Sequence, residues 1–163
     1  MTFTRRDTLR GLAAGGLTLV AGRLVSPAEA ETETSPVMVV FRDPTCGCCH
    51  KWVDHLMANG FSVSVRDATR AGMREIKARL GVPADLASCH TAEIGSYVIE
   101  GHVPAIAIRR LLAEKPAGRG LAVPGMPIGS PGMEGGTPET YDVLLFGAGV
   151  PQQFGRFRED KPA

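Results

Sequence analysis

The sequence predicts an α/β fold, a central sheet flanked by helices, on three observations. The first is the apolar run "VMVVF" (Val37 to Phe41), continuous and partly β-branched, which stops at Asp43-Pro44. It leads at once into a stretch whose apolar positions Trp52, Val53, Leu56 and Met57 recur at spacings of three and four, as one face of a helix does. The second is that the unit repeats, because "FSVSVRD" alternates as a strand and "AGMREIKARLG" follows it with helical spacing. The third is the end of the chain. There a Gly/Pro/Met-rich loop precedes "YDVLLFGA" and "QQFGRF", two alternating segments around Gly149-Val150-Pro151 that read as a C-terminal β-hairpin.

Taken in order, the first helix should run from about Cys48 to Asn59 with Gly60 as its C-cap, and the second should close at Gly81. "VPADLASCHTAEIG" reads as a loop with a short helical turn, and "SYVIEG" as a short strand. "HVPAIAIRRLLAEKP" reads as a third helix, with Pro104 near its first position and Pro116 just past its end. "GRGLAVPGMPIGSPGMEGGTPE" is a loop long enough to suggest a functional role. Met38, Trp52 and Met57 are assigned to the core. A strand that runs into a CxxC pair at a helix start, then a second βα unit and a terminal hairpin to complete the sheet, resembles the thioredoxin-like fold. That fold places a cis-proline beside its cysteines. Val123-Pro124 is the candidate for it and Val103-Pro104 the runner-up.

Residues 1–30 read as an export signal. Arg5 and Arg6 precede the modestly apolar "GLAAGGLTLVAGRLV", and Ala28-Glu29-Ala30 offers a small-x-small cleavage site. The segment resembles a twin-arginine signal, with Thr8 where a bulky apolar residue is more usual. An uncleaved anchor fits less well, since Arg23 breaks an apolar run already too short to span a membrane. A linker over 31–36, one domain over 37–158 and a tail over 159–163 complete the expected organisation. Without the signal's four arginines and two acids, the 18 basic and 17 acidic residues become 14 and 15, a net charge of about −1. No basic cluster with interleaved aromatics appears, which argues against nucleic acid. Nor does any later stretch have the length for stable membrane insertion.

The chemistry concentrates in "CGCCH". Three of the four cysteines, Cys46, Cys48 and Cys49, fall within four positions at the expected helix start. Unpaired backbone N–H groups and the helix dipole favour thiolates there. An exported chain meets an oxidising compartment, where such thiols pair or serve metal and redox chemistry. A disulfide between neighbours Cys48 and Cys49 is strained, and clustered thiols would staple little chain, so the spacing suits a site better than a scaffold. Cys46 and Cys49 alone would suffice for a redox pair, with Cys48 a bystander in that case. Cys89-His90 adds a thiol beside an imidazole, able to complete a ligand set or to resolve a disulfide with the first cluster.

Met126 and Met133 stand in two Pro-Gly-Met repeats of the Gly/Pro loop. Thioethers bind Cu(I) well and contribute little to zinc sites, so these two tilt the expected metal toward copper, against plain loop packing. His102, between a strand end and a helix start, is a credible ligand. His50 and His55 are more simply solvated, hydrogen-bonded or packed. No Ser-His-Asp pattern, P-loop or dinucleotide fingerprint is present.

Together "DPTCGCCHKWVDHLMANGF", "SCHTAEIGSYVIEGHVPA", "LLAEKP" and "GLAVPGMPIGSPGME" resemble the exported CxCC proteins found with bacterial copper-resistance systems, the CopG-like copper proteins. The likeness extends from about Val37 to Phe157. It implies a thioredoxin-like periplasmic domain that binds copper as its cofactor through the CxCC cysteines with help from His and Met, and acts in copper redox chemistry or handling. Carried over by position, the ligand candidates are Cys46, Cys48, Cys49, Cys89, His90, His102, Met126 and Met133, with Cys46 and Cys49 catalytic if the site is redox-active. The expected partners are copper ions and a periplasmic copper exporter, oxidase or chaperone. The alternative function is a metal-independent thiol-disulfide oxidoreductase in which Cys46 attacks and Cys49 resolves.

Overall fold

The structure is a computed structural model that describes residues 36–163. The expected export signal, and the linker except for Pro36, lie outside those residues.

The β-branched run becomes β1, Met38–Arg42, and the next helix, α1, spans Gly47–Ala58. Its buried positions Cys49, Trp52, Val53 and Leu56 follow the expected spacing. Met57, assigned above to the core, is instead 57% exposed, because it falls about 100° round the helix from Leu56, off the buried stripe. Asn59 is the C-cap, one residue before Gly60. β2 follows at Val63–Asp67, and α2 at Arg70–Leu80. Thr69 opens α2 by accepting a hydrogen bond from the Gly72 N–H, and Gly81 closes it in the left-handed conformation, as a C-cap glycine does.

A 3-10 turn at Ala84–Leu86 leads into β3, Thr91–Ile94, and β4, Tyr97–Glu100. α3 then spans Ala105–Glu114 with Pro104 at its N-cap, and the chain ends with β5 (Gly120–Ala122), β6 (Thr140–Phe146), β7 (Gln152–Arg158) and β8 (Lys161–Pro162). The eight strands form one sheet in the order β2-β1-β3-β4-β5-β6-β7-β8. The β1/β2 and β4/β5 pairs are parallel, each joined through a helix, and the remaining pairs are antiparallel.

Alternation along the strands buries both faces. On β4, Ile99 joins Trp52 and Leu56 of α1 and Ile108 and Leu111 of α3. Its neighbour Val98 joins Leu80 at the end of α2 and Phe146 on the opposite face. The expected α/β sheet flanked by helices, with its thioredoxin-like half and C-terminal hairpin, is thus the observed architecture.

Three short strands differ from the expected organisation. β3 fell in the expected loop because four residues are too few to display a period. β5 was hidden by the Gly/Pro composition around it. β8 lies in the expected tail, where Tyr141 also hydrogen-bonds the Glu159 carbonyl. The hairpin beside the β1/β2 unit is β3–β4; the C-terminal hairpin extends the sheet beyond it. Among the described residues no peptide bond is cis, so neither Val123-Pro124 nor Val103-Pro104 takes the expected form. Cys89-His90, not a proline, enters the strand paired with β1. Among the same residues no helix is long and apolar enough to cross a membrane.

Candidate metal centre

Asp43 closes the turn after β1 by accepting from both the backbone N–H and the hydroxyl of Thr45, at 2.8 and 2.7 Å. The turn delivers Cys46 to the N-cap of α1, where its side chain caps no N–H and is free for other bonds. It is joined to Cys49, one turn along the helix, as a disulfide. Cys48 and Cys89 are free thiols, each half-buried. Cys48 Sγ lies 3.4 Å from Cys46 Sγ and 3.8 Å from Cys89 Sγ, so the fourth cysteine joins the first three from the segment before β3.

Cys89 is also the link to the histidines. Its Sγ stands 3.2 Å from His90 Nδ1 and 3.2 Å from His102 Nε2, and both rings are wholly buried. His102 Nδ1 lies 2.8 Å from the Pro131 carbonyl. A carbonyl only accepts, so Nδ1 carries the proton and the Nε2 lone pair faces the Cys89 sulfur. A backbone oxygen fixing the tautomer from behind is the arrangement that orients metal-binding imidazoles.

His90 packs on Trp52, ring centroids 4.2 Å apart, and meets His102 edge to face at 4.9 Å. Its Nε2 is buried with no hydrogen-bond partner. Burial favours the neutral form of both imidazoles. It lowers the His90 pKa well below the ordinary value, helped by neighbouring His102 and Lys77, and it lowers that of His102 against the opposing effects of the Pro131 hydrogen bond and Glu134. The Cys89 thiol is pushed up to about 12, first by burial and then by Cys48 beside it.

The Gly/Pro/Met loop is pinned on both sides of this cluster. Ser88 Oγ donates to the Gly125 carbonyl at 2.7 Å, next to Met126, and Pro131 receives His102, two residues before Met133. Gly132 makes the close approach possible. At φ +90°, a Cβ there would sit 2.6 Å from the Cys48 carbonyl, 3.0 Å from Trp52 N and 3.2 Å from His102 Nδ1. Met133 is half-buried and Met126 is 53% exposed. Their loop is therefore brought to the thiols by its backbone, through the Gly125 and Pro131 carbonyls. His50 lies on the exposed side, its Nε2 3.0 Å from the Pro44 carbonyl. His55 accepts from the Ala105 N–H at 3.1 Å and so caps the start of α3, in keeping with a packing role.

Two donor groups result, Cys46/Cys48/Cys49/Cys89 and Cys89/His90/His102, each with its donor atoms within 4.8 Å of one another. Cys89 belongs to both. The residue that sequence reading missed is Glu100, a wholly buried carboxylate that accepts from the Ser88 N–H at 2.6 Å, just before Cys89. The available signal was an acid in "SYVIEG" two residues after Val98, on the inward side of its strand. Soft thiols beside buried imidazoles suit a soft or borderline metal ion, and a disulfide beside a free thiol suits exchange.

A family described as a protein of unknown function, DUF411, matches residues 86–133, the segment that carries Cys89, His90, His102 and both loop methionines. Two solved structures are similar over nearly their whole length. "Copper resistance protein copG- Form 1" is 42% identical with a TM-score of 0.69, and Form 2 is 44% identical with a TM-score of 0.68. Each comparison covers 76% of this chain and 98% of the other. No curated protein matches the chain.

Proposed function

This chain belongs to the CopG copper resistance family, and from that premise we propose that it binds copper ions and acts in copper resistance or homeostasis in the periplasm. The observation that carries the reading is the position of Cys89, 3.8 Å from Cys48 Sγ and 3.2 Å from His102 Nε2, which joins thiols and imidazoles into one donor set. Cys48, Cys89, His90 and His102 offer donors while the disulfide is closed, and its reduction adds Cys46 and Cys49. Cys89 Sγ, common to both groups, would be available as a donor to an ion held in either. Met126 and Met133 add soft donors from the loop, consistent with Cu(I), while the imidazoles also accept Cu(II). A mixed set of this kind lets copper change oxidation state without leaving. The twin-arginine character of residues 1–30 supports export to the periplasm, where an exporter, oxidase or chaperone would exchange copper with the protein.

An anaerobic Cu(I) titration of the reduced protein against a chromophoric chelator tests the copper reading. Tight uptake that saturates at a defined stoichiometry, with preference over zinc, is expected. Open-ended weak uptake would sink it.

The closed Cys46–Cys49 disulfide at a helix start favours a second reading, the metal-independent thiol-disulfide oxidoreductase. Under it, insulin reduction would be abolished in Cys46→Ser and kept in Cys48→Ser.

A further inference from the structure

We infer that Glu100, held by Lys77, is the positioning residue of the buried half of the site, gripping the segment that carries Cys89 and His90 at both ends. Glu100 Oε1 accepts from the Ser88 N–H at 2.6 Å, one residue before Cys89. Glu100 Oε2 accepts from the Thr91 hydroxyl at 2.7 Å, one residue after His90. Lys77 Nζ reaches from α2 to bond Oε1 at 2.5 Å and Thr91 Oγ1 at 2.8 Å, giving the buried carboxylate its counter-charge. The backbone adds a third tie, since the Gly101 N–H donates to the His90 carbonyl at 3.1 Å. His102 follows Glu100 by two residues, so one strand end carries both the grip and the second imidazole.

A buried ion pair adds little to stability compared with well-packed apolar side chains, so stability alone gives weak reason for a carboxylate at this position. Both protein groups that hydrogen-bond it besides Lys77 flank the same two residues. Cys89 and His90 lie just before β3, where the Gly101 N–H to the His90 carbonyl is the one backbone bond that continues the β3/β4 ladder toward them. The network supplies what a fixed donor set needs from its outer shell.

The consequence for copper rests on the function proposed above, so the experiment also reads the grip without metal. Two variants of equal charge are compared, Glu100→Gln/Lys77→Met and Glu100→Ala/Lys77→Met. The amide can still accept from Ser88 and bond Thr91; alanine cannot. In the reduced protein, Cu(I) affinity should stay within about threefold of wild type in the first and fall at least about tenfold in the second. Quenching of Trp52, the sole tryptophan, which packs on His90, should report the same change. Without metal, exchange of the Ser88 amide and alkylation of Cys89 should both accelerate in the second variant alone. Val143→Ala, a cavity variant in the β6 core, gives the comparison for lost stability.

Wild-type affinity and Ser88 protection in Glu100→Ala/Lys77→Met would overturn the inference, as would equal losses in Val143→Ala at matched stability. If the wild type takes no Cu(I) yet Ser88 and Cys89 respond as expected, the copper reading falls and the positioning role stands. Should the alanine variant fail to fold, Thr91→Val removes one end of the grip. Cys89 alkylation at the wild-type rate in Thr91→Val would then count against it.

Discussion

The two sides of the candidate centre are built differently. On the buried side His90 and His102 are wholly inaccessible, Cys89 is held between them, and Pro131, Trp52 and the Glu100 network fix the parts in place. On the rim, Cys46 and Cys48 stand half-exposed at a helix start, and Met126 is more than half exposed on a loop. The buried donors are held in place by these contacts before any ion arrives, whereas the rim donors are reachable and can exchange partners. Affinity should therefore be set on the buried side and access on the rim.

Cys89→Ser should break that division most severely, because Cys89 is the one donor common to both groups. Its loss should weaken Cu(I) binding by more than the roughly 10–100-fold that follows loss of an outer-shell partner. The hydroxyl fills similar space, so thermal unfolding should move little. The Cys89 thiol, pushed up to about 12, is protonated at neutral pH. Cu(I) uptake through it must release that proton, and affinity should rise with pH. Proton release counted in weak buffer should fall by about one in Cys89→Ser. An equal affinity loss in Cys46→Ser would erase the distinction between the two sides.

Gly132→Ala tests the contact between them. The added Cβ would collide with the Cys48 carbonyl and crowd His102, at a φ that suits only glycine. Overpacking of this kind destabilises by roughly 1–3 kcal/mol. Moving the loop also takes the Pro131 carbonyl from His102, which should lower Cu(I) affinity about tenfold. An unchanged melting temperature together with unchanged affinity would mean that the loop does not buttress the imidazole.

The same division explains what could be read from the chain. The CxCC segment, rim thiols and buried Cys49 alike, was legible because its information is local: three thiols in four residues, a strand before them and a helical period after them. The long elements were legible for the same reason, each carrying its own spacing and cap, such as Thr69 and Gly81 around α2. On the buried side residue types could be named, but their roles depend on contacts between segments. Glu100 lies 12 residues from Ser88 and 23 from Lys77, and no local pattern announces that a carboxylate will grip a loop. Pro131 lies 29 residues from His102. The expected cis-proline failed similarly, since the segment brought beside the thiols was chosen by strand pairing. Met57 shows the limit of helical spacing alone, one residue beyond the stripe that Leu56 ends.

The Met126→Ala/Met133→Ala pair should give the smallest effect and sharpen the comparison further. The loop is held by backbone, through the Gly125 and Pro131 carbonyls, so removing both thioethers leaves the buried donors where they are. Met126, exposed as it is, must also be ordered before it can bind an ion, and that entropy offsets part of its contribution. The double variant should therefore lose less than about tenfold in Cu(I) affinity, under about 1.4 kcal/mol. Its effect should be clearer in the rate of copper transfer to a chelator, followed by stopped flow, because exposed Met126 is the thioether that a chelator reaches most readily. A loss matching that of Cys89→Ser would place the thioethers among the principal donors, and the division between a buried side that holds and a rim that exchanges would then be wrong.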